Sequence, residues 1–289
     1  MNTEIGTYTG TDSTELVSSI DIEQMVLRRN HAVTKVEEAY DALATAEQTV
    51  HAIPLPTTLG RGTHYFPKIA VSKDKRGDMR EQIDSLAWRS LMDKSGLFTF
   101  MDKKARDDWY VQTRTSKDKS SREEKDKVPV FAFDLIATTF QSIHSNRGHY
   151  FRDGLVRLYR SLSWHFKTNN PRMLGKRIIQ EWAFDTWLNS TNFPTSLRYE
   201  NRDKLDDLER VFRVLDGKEE LPHTQSLAAA YGHYVVKNTN KEVWVDAGGY
   251  FKLKGFKKGT LHIEFLRPDL VDEANRIIAD AYPNALPAS

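Results

Sequence analysis

The stretch Phe251–Ala281, FKLKGFKKGTLHIEFLRPDLVDEANRIIADA, decides the fold. Phe251 and Leu253 alternate with Lys252 and Lys254, and Leu261, Ile263 and Phe265 alternate with His262 and Glu264. A period of two sends successive side chains to opposite faces of a strand, so each run has one apolar and one charged face. The intervening Gly255–Thr260 segment, GFKKGT, supplies two glycines for a turn, and the pair reads as a β-hairpin. Across it, Glu264 is expected to face Lys252 or Lys254. Pro268 then opens a helix, where its missing N–H costs nothing, with Leu270, Ala274, Ile277, Ile278 and Ala281 on one side.

Upstream, Leu205, Leu208, Val211, Phe212 and Leu215 define another helix, closed by Gly217. The residues 176–184, KRIIQEWAF, read as a short strand. Val128 to Ile143 reads as a helix that starts at Pro129 and carries Leu135, Ile136, Phe140 and Ile143. Ile83, Leu86, Ala87 and Leu91 are spaced for an amphipathic helix that Gly96 can end. A long helix is predicted from Asp21, where Val26, Val33 and Tyr40, and likewise Val36, Leu43 and Val50, recur every seven residues. That stripe, interrupted by Arg29 and Glu47, suits packing on its own domain or a homodimer through the helix 21–50. The fold class is therefore α+β: mostly helical, with a small antiparallel sheet that includes a C-terminal β-hairpin followed by a helix.

Four regions follow from this pass. Residues 1–19 are a Thr-, Ser- and Gly-rich tail, and residues 20–113 an N-terminal helical region. Residues 114–127, RTSKDKSSREEKDK, form a charged loop with no apolar member. Residues 128–287 form a C-terminal α+β region, separate from 20–113 or continuous with it. The 289 residues, 39% of them hydrophobic, are enough for one large domain or two modest ones.

Charge is distributed unevenly. The chain holds 42 basic and 40 acidic residues, a formal charge of +2. Yet Asn146–Ile179 carries Arg147, Arg152, Arg157, Arg160, Lys167, Arg172, Lys176 and Arg177 against one acid, Asp153. Tyr150, Phe151, Tyr159, Trp164 and Phe166 are interleaved with them. Cations among aromatics suit a polyanion whose phosphates need neutralising and whose bases can stack. A competing use for the cations is the acidic helix flank Glu200–Glu220, with eight acids and five bases, which could dock on them within the chain.

Several chemistries lack their residues. There are no cysteines, which removes disulfide scaffolds, thiolate zinc sites and Cys nucleophiles. The start of the chain shows no signal-peptide pattern and no apolar run is long enough to cross a bilayer, so a cytoplasmic protein without membrane contact is expected. Asn169-Asn170-Pro171-Arg172 lacks the second proline and the aromatic of an amino-methyltransferase motif. Gly255 to Thr260 has the wrong order for a P-loop, and His262-x-Glu264 lacks the cysteine ligands of a deaminase. His144, His149 and His165 near Asp153 could meet a metal, but their cationic neighbours repel one, so neither metal nor cofactor is expected.

Three blocks, NRGHYF…GLVRLYRSLSWHFKTNNPRMLGKRII, LDDLERVFRVLDGK and YFKLKGFKKGTLHIEFLRPDLVDEANRIIADAYPNAL, resemble one bacterial domain-of-unknown-function family. The resemblance spans about residues 20–287 and departs at Lys258, where relatives usually carry Asn. It implies phage, plasmid or other mobile-element association, with relatives often adjacent or fused to DNA methyltransferases. It carries over no catalytic residue.

The expected function is thus an accessory protein that binds nucleic acid, DNA rather than RNA, in DNA modification or phage–host conflict. Candidate contacts are Arg147, His149, Tyr150, Arg152, Arg157, Arg160, Trp164, Lys167, Arg172, Lys176 and Arg177, extended by Lys257 and Lys258 at the hairpin tip. One alternative is a protein-binding inhibitor or partner of a defence or methyltransferase complex. Another is a nuclease-like enzyme, for which His149, His165, Lys167 and Glu264 are the residues to test.

Overall fold

A computed structural model describes residues 19–52, 73–116, 127–162, 167, 169–170, 172–185, 196–237 and 244–281. Eight α-helices and four strands are described: α1 Ser19–His51, α2 Lys73–Ser95, α3 Lys103–Gln112, α4 Phe133–Ser145, α5 Arg147–Ser161, β1 Arg177–Gln180, α6 Tyr199–Leu215, α7 Leu227–Lys237, β2 Val245–Ala247, β3 Phe251–Gly255, β4 Leu261–Phe265 and α8 Pro268–Ala281. The fold is α+β and mostly helical. It divides into two units that interleave in sequence: residues 97–106 belong with those from 145 onward, and residues 107–144 with those up to 96. These units do not coincide with the regions 20–113 and 128–287.

In the unit that contains the sheet, the strand order is β1-β4-β3-β2 and every pairing is antiparallel. The hairpin register sets Phe251 opposite Phe265, Lys252 opposite Glu264, Leu253 opposite Ile263 and Lys254 opposite His262. Period two then places Phe251, Leu253, Leu261, Ile263 and Phe265 on one face, all buried. Phe212 of α6 enters that face with ring centroids 4.9 Å from Phe251 and 5.3 Å from Phe265. Leu155, Leu158 and Tyr159 of α5, Tyr231 and Val235 of α7, and Leu270, Ala274 and Ile278 of α8 complete the core.

Helix ends in this unit are satisfied by name. Gly217 adopts φ +68, and Lys218 N donates to Arg213 O at 2.8 Å and Gly217 N to Val214 O at 3.1 Å, closing α6 in a left-handed cap. At the start of α7, Leu227 N donates to Glu209 Oε2 at 2.6 Å and Ala228 N to Asp206 Oδ1 at 3.0 Å. Two carboxylates of α6 thereby take up amides that the α7 backbone leaves unpaired.

In the other unit, α1 runs antiparallel to α2 and is tied to it by ion pairs: Arg29 to Asp84 at 2.6 and 2.8 Å, and Arg80 to Glu37 at 2.7 Å. The heptad stripe Val26, Val33, Val36, Tyr40 and Leu43 is half-buried. Buried carboxylates of α2 do a second job. Glu81 accepts from Ser116 N at 2.9 Å and Val128 N at 3.1 Å, and Asp84 accepts from Phe131 N at 3.0 Å. Trp88 Nε1 donates to Pro129 O at 2.8 Å.

These bonds correct the expected helix start at Pro129. Trp88 occupies the Pro129 carbonyl that a helix from 129 would offer to the amide of residue 133, and Glu81 and Asp84 pin the 128 and 131 amides, so the chain stays extended until Phe133. The strand expected over 176–184 is likewise shorter, ending at Gln180. Most of the charged loop, 117–126, lies outside the described residues, as does the tail 1–18.

Gly255 is the tightest point of the core. A Cβ there would stand 2.8 Å from Phe184 Cζ and 2.9 Å from the Tyr231 hydroxyl. Gly255→Ala is expected to cost about 1–3 kcal/mol, as overpacking does. Urea unfolding at constant m checks this; an unchanged midpoint would contradict the packing described.

Candidate nucleic-acid interface

The basic segment is not one track. Its first half is α5, which buries Leu155, Leu158 and Tyr159 against the core and packs on α6 and α8. Arg152 bonds Asp153 at 3.3 Å and lies 3.2 Å from His149 Nδ1. Arg160 is exposed and Arg147 and Tyr150 are half-buried. Trp164 and His165 lie outside the described residues.

Arg157 is a structural residue. It forms a two-pronged ion pair with Asp102, Nε to Oδ2 and Nη2 to Oδ1, both 2.8 Å. Asp102 is buried at 5% side-chain exposure, and its Oδ1 also accepts Ala105 N at 3.0 Å, capping α3. Gly154 makes room for it, since a Cβ there would lie 3.1 Å from Asp102 Cβ. Burial pushes the Asp102 carboxyl up, but the bond from Arg157, the Ala105 amide and the charges of Arg157 and Arg210 hold it below the usual range.

Within the acidic flank Glu200–Glu220, offered above as a competing dock for the basic segment, Asp206, Asp207 and Glu209 take other partners. Asp206 and Glu209 serve α7, and Glu209 additionally meets Arg213 at 3.4 Å. Asp207 accepts Lys103 N and pairs with Arg210 at 3.3 Å. Arg210 is fully buried, with Nη1 donating to Thr99 O at 3.1 Å. Of these, Asp207 and Arg210 bond the 97–106 segment, and neither was singled out by charge or spacing as its partner.

The second half of the basic segment lies at the sheet. Lys167 and Arg172 are exposed in the connection before β1. Lys176, 85% exposed, reaches Glu264 at 3.7 Å. Arg177 opens β1 opposite Glu264, so β1 brings it onto the same strand row as Lys252. Lys257 and Lys258 are exposed in the hairpin turn, which closes through Phe256 N to Thr260 O at 2.9 Å and a Gly259 at φ +86.

The core takes one face of the sheet, and the opposite face carries charge and rings. It presents Arg177, Glu264 and Lys252 in one row, and the buried Ile179 with His262 and Lys254 in the next. By alternation Trp244 and Phe256 continue that face. The Phe256 ring lies 4.2 Å from His262, Trp244 6.5 Å from His262, and Lys254 Nζ 5.0 Å over Phe256. His262, Phe256 and Trp244 are all half-buried.

His262 reports the local potential. Burial, and then the charges of Arg177, Lys258 and Lys254, pull its imidazole from 6.5 down to about 4. It is neutral at physiological pH, so its ring acts as an aromatic surface rather than as a cation. Nδ1 is buried without a hydrogen-bond partner among the described residues. The residues that sequence reasoning missed here are Lys252, Lys254, Trp244, Phe256 and His262. Extending the hairpin's own alternation to positions 244 and 256 would have found them.

The chain belongs to a family defined as a domain of unknown function, DUF4942, whose model matches residues 80–284. That span contains all four strands and α3 to α8 and leaves α1 outside. No curated protein and no solved structure matches the chain.

The position of His262 has a measurable pH consequence. Its folded-state pKa lies below its unfolded value, so between about pH 6.5 and pH 4 the unfolded chain binds a proton that the folded chain does not. His262 therefore removes stability progressively as pH falls through that window. The stability difference between His262→Phe and wild type is expected to shift in favour of the variant from pH 7 to pH 4.5, read by urea unfolding. A constant difference across those pH values would contradict it.

Proposed function

We propose that the protein binds nucleic acid through the outer face of its sheet. The observation that carries this reading is the sheet register, which sets Arg177, Lys252 and Lys254 on the face opposite the core, with Phe256, His262 and Trp244 beside them. Cations from separate strands set on one face make a positive surface that lowers the free energy of a bound phosphate chain. The rings among them are the second half of the chemistry. The surface gathers the later part of the basic segment (Lys176, Arg177) and the hairpin cations Lys257 and Lys258. Arg157 is removed from the contact set, because Asp102 already holds it.

The biological setting we attach to this activity is a cytoplasmic accessory protein of phages or plasmids, acting beside DNA methyltransferases. Support for that setting is the sequence resemblance, together with a surface that offers binding groups and no recognised catalytic constellation.

Fluorescence anisotropy with a labelled oligonucleotide tests the binding. Affinity is expected to fall steeply between 50 and 200 mM salt, because each neutralised phosphate releases counterion at a slope of about 0.7–0.9. Arg177→Ala with Lys254→Ala and Lys258→Ala is expected to weaken binding and flatten the slope by about two. Arg157→Gln is expected to leave both unchanged. Affinity that is flat across salt, or no binding at all, would overturn the reading.

A further inference from the structure

One residue beside this surface breaks the local backbone rules. Trp182, two residues past β1, adopts φ +52, a left-handed conformation that among non-glycine residues is uncommon and costs of order 1 kcal/mol or more. Its indole is 68% exposed. Exposing the largest apolar side chain on a strained backbone disfavours folding twice over, so the surroundings must impose it.

They do so at several points. Asn201 Nδ2 donates to Trp182 O at 3.0 Å. Ala183 N donates to Gly259 O at 2.8 Å, and Arg198 N to Ala183 O at 3.0 Å. The first of these backbone bonds fastens the segment to the hairpin turn, beside Lys258 and Phe256. Arg198 lies over one face of the indole at 5.8 Å and is itself paired with Asp185 at 3.6 Å. Trp182 is thus an exposed ring held in place, and the next residue is bonded to the hairpin turn that carries Phe256 and Lys258.

Rings spaced among cations are what an unpaired strand requires and a duplex cannot use. Bases in a duplex are stacked on each other and present only edges in the grooves, whereas unpaired bases offer their faces to side chains. Among the described residues of β1, β3 and β4, the acid on this face is Glu264, already engaged by Lys176. Besides Glu264 and Ile179, the described groups of the face are rings and cations, which answer bases and phosphates; selection of a 2′-hydroxyl would need neutral donors and acceptors exposed for it, and the neutral ring of His262 keeps Nδ1 buried.

Resting on the nucleic-acid reading above, we propose that this surface is a platform for single-stranded DNA. Bases stack on Phe256 and Trp182, and Arg177, Lys254 and Lys258 hold the intervening phosphates. Trp244 extends the platform along the sheet, and Arg198 braces the indole from behind. The strain at Trp182 is accounted for by presentation of its ring.

The test compares a labelled 20-nucleotide thymidine strand, the matching duplex and a uridine RNA of equal length, by anisotropy at one salt concentration. The DNA single strand is expected to bind at least tenfold more tightly than the duplex, and no more weakly than the RNA. Trp182→Gly removes the ring while supplying the residue best suited to φ +52, so its unfolding midpoint is expected to stay level or rise. Its affinity for the single strand is expected to drop about 5- to 150-fold, the range for loss of one base stack, with the salt slope unchanged. Phe256→Leu, which keeps an apolar side chain on His262, is expected to weaken binding in the same direction. Equal or tighter duplex binding, preference for RNA, or unchanged affinity in Trp182→Gly would each overturn the platform while leaving nucleic-acid binding standing. Failure to bind all three oligonucleotides would remove both.

Discussion

Phe212 is the residue on which the sheet-containing unit turns. Its ring stacks on Phe265 at an interplanar angle of 16° and meets Phe251 and Tyr250 edge-on at 62° and 63°. Those partners come from two adjacent strands and the turn that precedes them, so one helical side chain fixes both the depth of α6 and the register of the hairpin beneath it. A one-residue slip would turn Phe251 and Phe265 outward and leave Phe212 without neighbours. Because the apolar face is committed to α6 in this way, its reverse is obliged to carry Lys252, Lys254, His262 and Glu264. The candidate interface is in that sense a by-product of core packing.

The protein uses its nearly balanced charge in two distinct ways. Within the fold, cations are matched one to one with acids and placed where neither could be removed cheaply: Arg157 with Asp102, Arg210 with Asp207, Arg106 with Glu220 at 2.5 Å. Removing one partner of such a pair leaves a desolvated charge, which is why these contacts resist substitution even when they add little net stability. At the sheet, several cations share one acid, Glu264, and burial together with the charges of Arg177, Lys258 and Lys254 lowers the pKa of His262. A net charge of +2 describes neither arrangement.

What could be read from the sequence was whatever repeats locally. The hairpin and α8 were legible because periods of two and 3.6 are visible in consecutive residues, and α6 because Gly217 marks its end. The distinct fates of Arg152, Arg157 and Arg160 were not legible. All three sit in one helix with the same chemistry, and the residue that claims Arg157 is 55 positions away. The helix start at Pro129 failed for a related reason: Trp88, 41 residues upstream, takes the Pro129 carbonyl that the helix would have used. Trp182 lay inside a plausible strand run, and nothing adjacent to it announces the bond from Asn201 that holds its carbonyl.

The segment 97–106 has a consequence in time. Thr99 O waits for Arg210, 111 residues later, and Lys103 N waits for Asp207, 104 residues later. At a synthesis rate of about 5–20 residues per second, these groups emerge roughly 5–20 s before their partners exist. Throughout that interval Leu97, Phe98 and Met101, all buried in the finished protein, have no core to enter. A nascent chain with this connectivity must reach residue 210 before Thr99 O and Lys103 N can meet these partners.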